Sequence, residues 1–157
     1  MLKIAFVCHG NICRSPMAEF VFKNMVATAG INKNFLVDSK ATSNEEIHMG
    51  IGNPIHEGTL EIFHKYKIPY DKEKRASQLT KNDYERYDLF IGMDFANIRN
   101  MQRIFNSDPQ NKVKLLLDFA KEHKEVADPW YTGNFDKTYR DILKGCEALL
   151  STLGEVK

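Results

Sequence analysis

Apolar residues along this chain come in short strand-like blocks, separated by turn residues and by segments with helical spacing. Leu2-Lys3-Ile4-Ala5-Phe6-Val7 is a strand-type run. Cys8-His9-Gly10-Asn11-Ile12-Cys13-Arg14 follows as a loop, with Gly10 and Asn11 as its turn residues. Ser15-Pro16 then marks a helix start, with Ser15 at the N-cap and Pro16 in the first turn. Met17, Phe20, Val21 and Met25 fall on one helical face, and Gly30 is placed to close the helix.

The alternation continues. Phe35-Leu36-Val37 is a second strand, and Leu60 and Phe63 indicate a helix after the turn Gly52-Asn53-Pro54. Thr80-Lys81-Asn82-Asp83 has the form of a capping box opening a short helix. Leu89-Phe90-Ile91 is a third strand, followed by a helix capped by Asp94 that carries Ile98, Met101 and Ile104. Val113-Lys114-Leu115-Leu116 is a fourth. Phe135, Tyr139, Ile142, Leu143, Cys146, Leu149, Leu150 and Leu153 form the stripe of a last helix, with Gly154 after it. This alternation predicts one α/β domain over residues 1–157. Its architecture is a three-layer, doubly wound, four-stranded parallel sheet covered on both faces by about five helices.

Composition narrows the partners more than the fold. Twenty-two Lys and Arg against 21 Asp and Glu leave a formal charge of +1, which argues against nucleic-acid binding driven by bulk charge. No apolar run is long enough to span a bilayer, and Met1-Leu2-Lys3 does not open a secretion signal. Three cysteines, Cys8, Cys13 and Cys146, do not make a disulfide framework. These features predict a cytoplasmic protein with free thiols and no membrane contact, and a monomer by default.

Ligands of such sheets bind beyond the carboxyl ends of the strands, where the strand order switches. Residues 8–15 occupy that place on the first strand and lead into a helix N-terminus, which favours an anion. Cys8 is a candidate thiolate, its ionised form favoured by the helix end and by Arg14. Gly10 and Asn11 tolerate the left-handed angles that turn successive N–H groups inward. Arg14 offers a planar fork for two phosphate oxygens, and Ser15 can donate to a Cys8 thiolate. A sulfur nucleophile within a ring of donors fits phosphoryl transfer to sulfur, which needs a general acid for the leaving oxygen. Two Asp-Pro pairs are available. Asp108 reads as a helix-to-strand connection on the opposite face. Asp128, beyond the fourth strand and followed by Trp130 and Tyr131, is the better acid, with one of the two aromatics walling a slot for an aryl phosphate. Cys146 reads as core packing, and His48, His56, His64 and His123 read as surface residues without metal-ligand spacing.

These residues carry a resemblance. Val7-Cys8-His9-Gly10-Asn11-Ile12-Cys13-Arg14-Ser15-Pro16 strongly resembles the signature of the low-molecular-weight protein tyrosine phosphatases, and Asp128-Pro129-Trp130-Tyr131 resembles that family's late acid loop. Val37-Asp38-Ser39, Gln78-Leu79-Thr80-Lys81 and Gly92-Met93-Asp94 extend the similarity over nearly the whole chain. The resemblance implies Cys8 as nucleophile and Arg14 with the amides of His9, Gly10, Asn11, Ile12 and Cys13 as phosphoryl binders. It implies Asp128 as general acid and base, Ser15 as the thiolate's partner, and Asn11 as the loop's brace with Ser39 beside it. No metal or other cofactor is implied. Substrates would be phosphotyrosine proteins or small aryl phosphates, with inorganic phosphate as product. Cys13 resembles the family's second cysteine, which can pair with Cys8 on oxidation; packing below the loop is the other reading of Cys13.

The sequence also departs from the family. Lys74 stands where members usually carry a histidine that supports the loop. The variable stretch from Ser43 to Gly52 has no aromatic, which implies a more polar or wider pocket wall. His9 replaces an apolar residue and is placed to meet the substrate or the thiolate. Three alternatives share the loop: an arsenate reductase, which would need a cysteine relay that Cys146 alone does not supply; a phosphotyrosine- or phosphate-binding module without catalysis; and a phosphocarrier.

Overall fold

The computed structural model describes residues 1–154. In chain order its elements are β1 (Leu2–Cys8), α1 (Arg14–Thr28), β2 (Phe35–Ala41), β3 (Ile47–His48), β4 (Ile51–Gly52), α2 (Glu57–Lys65), β5 (Leu89–Gly92), α3 (Phe95–Phe105), β6 (Val113–Leu115), α4 (Pro129–Thr132) and α5 (Phe135–Gly154), with three short 3-10 turns between them. β2, β1, β5 and β6 form a parallel sheet in that order, so β1 pairs with β2 on one side and with β5 on the other. The chain reverses its direction of progress across the sheet at β1, which places the switch point at the end of that strand.

The sheet is buried on both faces, as parallel sheets are. Ile4, Phe6 and Cys8 point into one core with Met17, Val21 and Phe22 of α1 and Ile142, Cys146 and Leu149 of α5. Ala5 and Val7 point the other way, into a core with Phe90, Met101 and Phe105. The four-stranded, doubly wound sheet with five α-helices is therefore the one the hydrophobic pattern predicts.

Local details differ from that pattern. α1 begins at Arg14, its N-cap is Cys13, and no side chain caps it. Ser15 lies inside the first turn instead, because its hydroxyl is bonded to Cys8 and Asn11. The helix is buried all round from Arg14 to Phe22 rather than on one face, being enclosed by the sheet and α5. Gly30 does close it, at φ +74°, with Gly30 N bonded to Ala27 O and Ile31 N to Val26 O. Gly154 lies within α5 rather than after it. β3 and β4 form a small antiparallel hairpin that short polar residues conceal in the sequence.

The segment between β2 and α2 is pinned rather than loose. Ala41 N donates to Ser77 O, Leu79 N to Ala41 O, and Ala76 N to Asn53 O, at 2.7, 2.8 and 2.9 Å. The backbones meet most closely at Gly52, where a Cβ would lie 2.0 Å from Ala76 O. Main chain bounds that contact, so no side-chain rotation can relieve it. Gly52→Ala is therefore expected to destabilise the fold by about 2 kcal/mol or more, read as a lower thermal midpoint. An unchanged midpoint would show that this approach is not required.

Candidate active site

The site lies at the carboxyl end of β1. Cys8 Sγ is within 3.0 Å of Ser15 Oγ, 3.3 Å of Asn11 N and 3.4 Å of Ser15 N. The sulfur thus occupies the position that a capping side chain fills at other helix N-termini. As a thiol, Cys8 donates to Ser15 Oγ. Asn11 Nδ2 also donates to that oxygen, at 2.8 Å, so the hydroxyl proton remains available to a Cys8 thiolate.

Asn11 holds the loop open. Its φ is +60°, a conformation that asparagine tolerates better than most residues. Besides Ser15, its Nδ2 donates to Ser39 Oγ at 2.9 Å, and its Oδ1 accepts from Ser77 N at 3.0 Å. Gly10, in contrast to the sequence expectation, is not in the left-handed region. Its lack of a side chain makes room instead: a Cβ there would lie 3.1 Å from Glu46 Cγ.

Behind Asn11 the network ends on a buried carboxylate. Ser39 Oγ donates to Glu19 Oε1 at 2.6 Å, and Glu19 is 2% exposed. Lys23 reaches Glu19 Oε2 at 2.6 Å, and Lys74 Nζ lies 3.3 Å from Oε1 while donating to Ser39 O at 3.0 Å. Lys74 therefore braces the network behind the loop from both its carboxylate end and the β2 backbone.

Arg14 is 4% exposed. Its Nη1 donates to Val126 O at 3.2 Å and its Nη2 to Asp94 Oδ2 at 2.8 Å, with Asp128 Oδ2 at 3.4 Å. Burial works against the guanidinium charge, yet Cys8, Asp94 and Asp128 hold its pKa above the ordinary value. Asp94 also caps α3 through Asn97 N at 2.8 Å. Asp128 caps α4 through Trp130 N at 3.0 Å. Its loop is tied down by Val126 N to Met93 O at 2.9 Å and by Ala127 N to Asp141 Oδ2 at 3.0 Å. Asp108, as expected, is remote: it accepts from Tyr84 and from the amides of Lys112 and Val113.

Cys8, Arg14, Asp94 and Asp128 open on a cleft of about 530 Å³ that His9, Gly10, Asn11, Ile12 and Cys13 also line. Trp130 and Tyr131 form one rim, 69% and 90% exposed. Glu45 and Glu46 also line the cleft, and His9 Nε2 pairs with Glu45 Oε2 at 3.0 Å. The structure thus brings together every residue singled out from the loop and the Asp128 segment, with Ser39 one bond behind. Ile12 O and Cys13 O face α2, accepting from His56 N at 2.9 Å and Thr59 Oγ1 at 3.2 Å. Burial pushes the Cys13 thiol up to about 12, and Cys146 is fully buried against Ala18 O of α1.

Glu19, Asp94 and His56 have places in the site that the sequence does not announce. Glu19 had a signal, a lone charge in the run Met17-Ala18-Glu19-Phe20-Val21-Phe22. Asp94 reads in the sequence only as a helix cap. His56 was expected at the surface; it is half-buried, caps α2 through Gly58 N at 3.0 Å, and stacks on Phe135.

A buried thiol held by amides at a helix start shares one cleft, at the carboxyl end of a parallel strand, with a buried arginine and the two aspartates paired to it. Residues 3–157 match the family model described as low molecular weight phosphotyrosine protein phosphatase. The chain is 37% identical to the low molecular weight protein-tyrosine-phosphatase YfkJ of Bacillus subtilis, covering 100% of this chain and 99% of that protein. The crystal structure of YfkJ matches with a TM-score of 0.92, over 100% of this chain and 97% of that one. SP-PTP, a low molecular weight protein tyrosine phosphatase from Streptococcus pyogenes, is 42% identical with a TM-score of 0.85, over 98% and 93% of the two chains. The chain belongs to the low molecular weight protein-tyrosine-phosphatase family.

Two outcomes follow from the site's electrostatics. Lys74→Met removes one of the two cations facing buried Glu19 and is expected to lower stability by about 1–3 kcal/mol, measured as a shift in urea midpoint. No shift would mean that Lys23 alone satisfies Glu19. Alkylation of native protein at neutral pH, mapped by peptide mass, should leave Cys13 unmodified because burial keeps its thiol protonated. Ready labelling of Cys13 would contradict that picture.

Proposed function

We propose that this chain hydrolyses phosphotyrosine and small aryl phosphates through a phosphocysteine at Cys8. The observation that carries this reading is the seating of Cys8 Sγ within 3.0–3.4 Å of Ser15 Oγ, Asn11 N and Ser15 N, with Arg14 and Asp128 converging on the same cleft. A thiolate there is directed at a phosphorus whose oxygens face the loop amides and the Arg14 fork. Sulfur attacks, the S–P bond forms as the P–O bond to the phenol breaks, and Asp128 gives its proton to the departing oxygen. Water then attacks the phosphocysteine, Asp128 takes a proton from it, and inorganic phosphate leaves as the thiolate is regenerated. Ser15 donates to the thiolate in both half-reactions, and the Asn11–Ser39–Glu19–Lys74 network keeps the loop in shape. Trp130 and Tyr131 supply the aromatic wall, while Glu45, Glu46 and His9 add polar groups to the cleft lining. The free, buried thiols suit a reducing, cytoplasmic setting, and oxidation pairing Cys8 with Cys13 would switch the enzyme off.

Hydrolysis of para-nitrophenyl phosphate from pH 4 to 8, with chelator and reductant, tests this. Turnover should persist with the chelator present and should vanish in Cys8→Ser while phosphate still binds. Residual turnover in Cys8→Ser would remove Cys8 as nucleophile. Asp128→Ala should slow phenyl phosphate by about 100-fold or more, and para-nitrophenyl phosphate far less, because only the poorer leaving group needs the proton. Equal slowing of both would remove Asp128 as the acid.

A further inference from the structure

We propose that His56 is a positioning residue that sets the aromatic wall of the cleft at a fixed distance from the phosphate loop, and so determines the preference for aryl phosphates; this rests on the Cys8 phosphatase reading. Its main chain belongs to the loop side of the site: His56 N donates to Ile12 O at 2.9 Å. The imidazole belongs to the wall. One face stacks on Phe135 at 5.3 Å between centroids and 15° between planes, and the Trp130 indole stands edge-on to it at 5.8 Å and 70°. Nδ1 accepts from Gly58 N at 3.0 Å, which makes it the unprotonated nitrogen and locks the ring in place.

The wall depends on that ring for support. Trp130 is 69% exposed and sits on α4, a helix of four residues that is too short to hold itself. Phe135 in turn is clamped by the close approach of Gly58, where a Cβ would fall 2.3 Å from the ring. The path from phosphate site to wall therefore runs from Ile12 through His56 to Trp130, and Trp130 N bonds Asp128. A helix cap alone needs no ring, and a ring alone needs no acceptor, so the two roles of His56 can be separated by substitution.

Trp130 is the chain's single tryptophan, so its fluorescence reports on the wall without interference. His56→Asp keeps a capping oxygen and removes the ring; His56→Phe keeps a ring and removes the acceptor. In His56→Asp, acrylamide should quench Trp130 more strongly, and KM for para-nitrophenyl phosphate should rise about three- to tenfold, the value of one lost aromatic pair. Inhibition by inorganic phosphate, which touches only the loop, should stay at the wild-type level. In His56→Phe, quenching and KM should match wild type while the melting midpoint falls by about 3 °C. Wild-type quenching and KM in His56→Asp would overturn the proposal. So would a parallel weakening of inorganic phosphate, which would locate the effect in the loop itself. Quenching needs no turnover: an inactive wild type would sink the Cys8 reading alone, whereas an active enzyme with unchanged quenching in His56→Asp would sink this one alone.

Discussion

The site depends on one backbone constraint, the left-handed turn at Asn11. At φ +60° the chain bends so that the amides of Asn11 and Ser15 both approach Cys8 Sγ, at 3.3 and 3.4 Å. That conformation costs about 1 kcal/mol for an L-residue. Three side-chain bonds from Asn11 itself, to Ser15, Ser39 and Ser77, offset the cost and tie the loop to α1, β2 and the segment beyond β4. The buried carboxylate of Glu19 is the far end of the same arrangement. It accepts from Ser39 at 2.6 Å and meets Lys23 and Lys74, so a charge that would be prohibitive alone is paired on two sides.

The sheet topology accounts for why the remaining groups arrive at this loop. With β1 between β2 and β5, the segment after β5 carries Asp94, and the chain beyond β6 returns by Val126 to Met93 before reaching Asp128. Arg14 links all three regions, bonding Asp94 and Val126 O and approaching Asp128 at 3.4 Å. A guanidinium this deeply buried and bonded is fixed in direction, which suits the phosphoryl-binding role proposed for it.

Much of this was legible in the sequence because it is local. The strand run at residues 2–7, the Cys8-to-Pro16 motif and the long apolar stripe of the last helix each announce themselves within a few residues, and their alternation implies the parallel sheet. The position of Asp128 at the cleft is legible from its proline and aromatic neighbours. What was not legible depends on distant residues. Ser15 reads as a cap until the sulfur of Cys8 is seen in that place. Gly10 reads as a left-handed turn until Glu46 is seen against it. The β3–β4 hairpin has two-residue strands, below any periodicity signal. His56 looks like a surface histidine because neither Phe135 nor Ile12 is near it in the chain.

In the proposed mechanism Cys8 becomes covalently phosphorylated during turnover. Acid quenching of wild-type enzyme within the first turnovers of an aryl phosphate, followed by peptide mass analysis, tests it most directly. One added phosphoryl group is expected on the peptide bearing Cys8, absent without substrate. Product formation with no phosphoryl group on Cys8, or with the group on another residue, would contradict it.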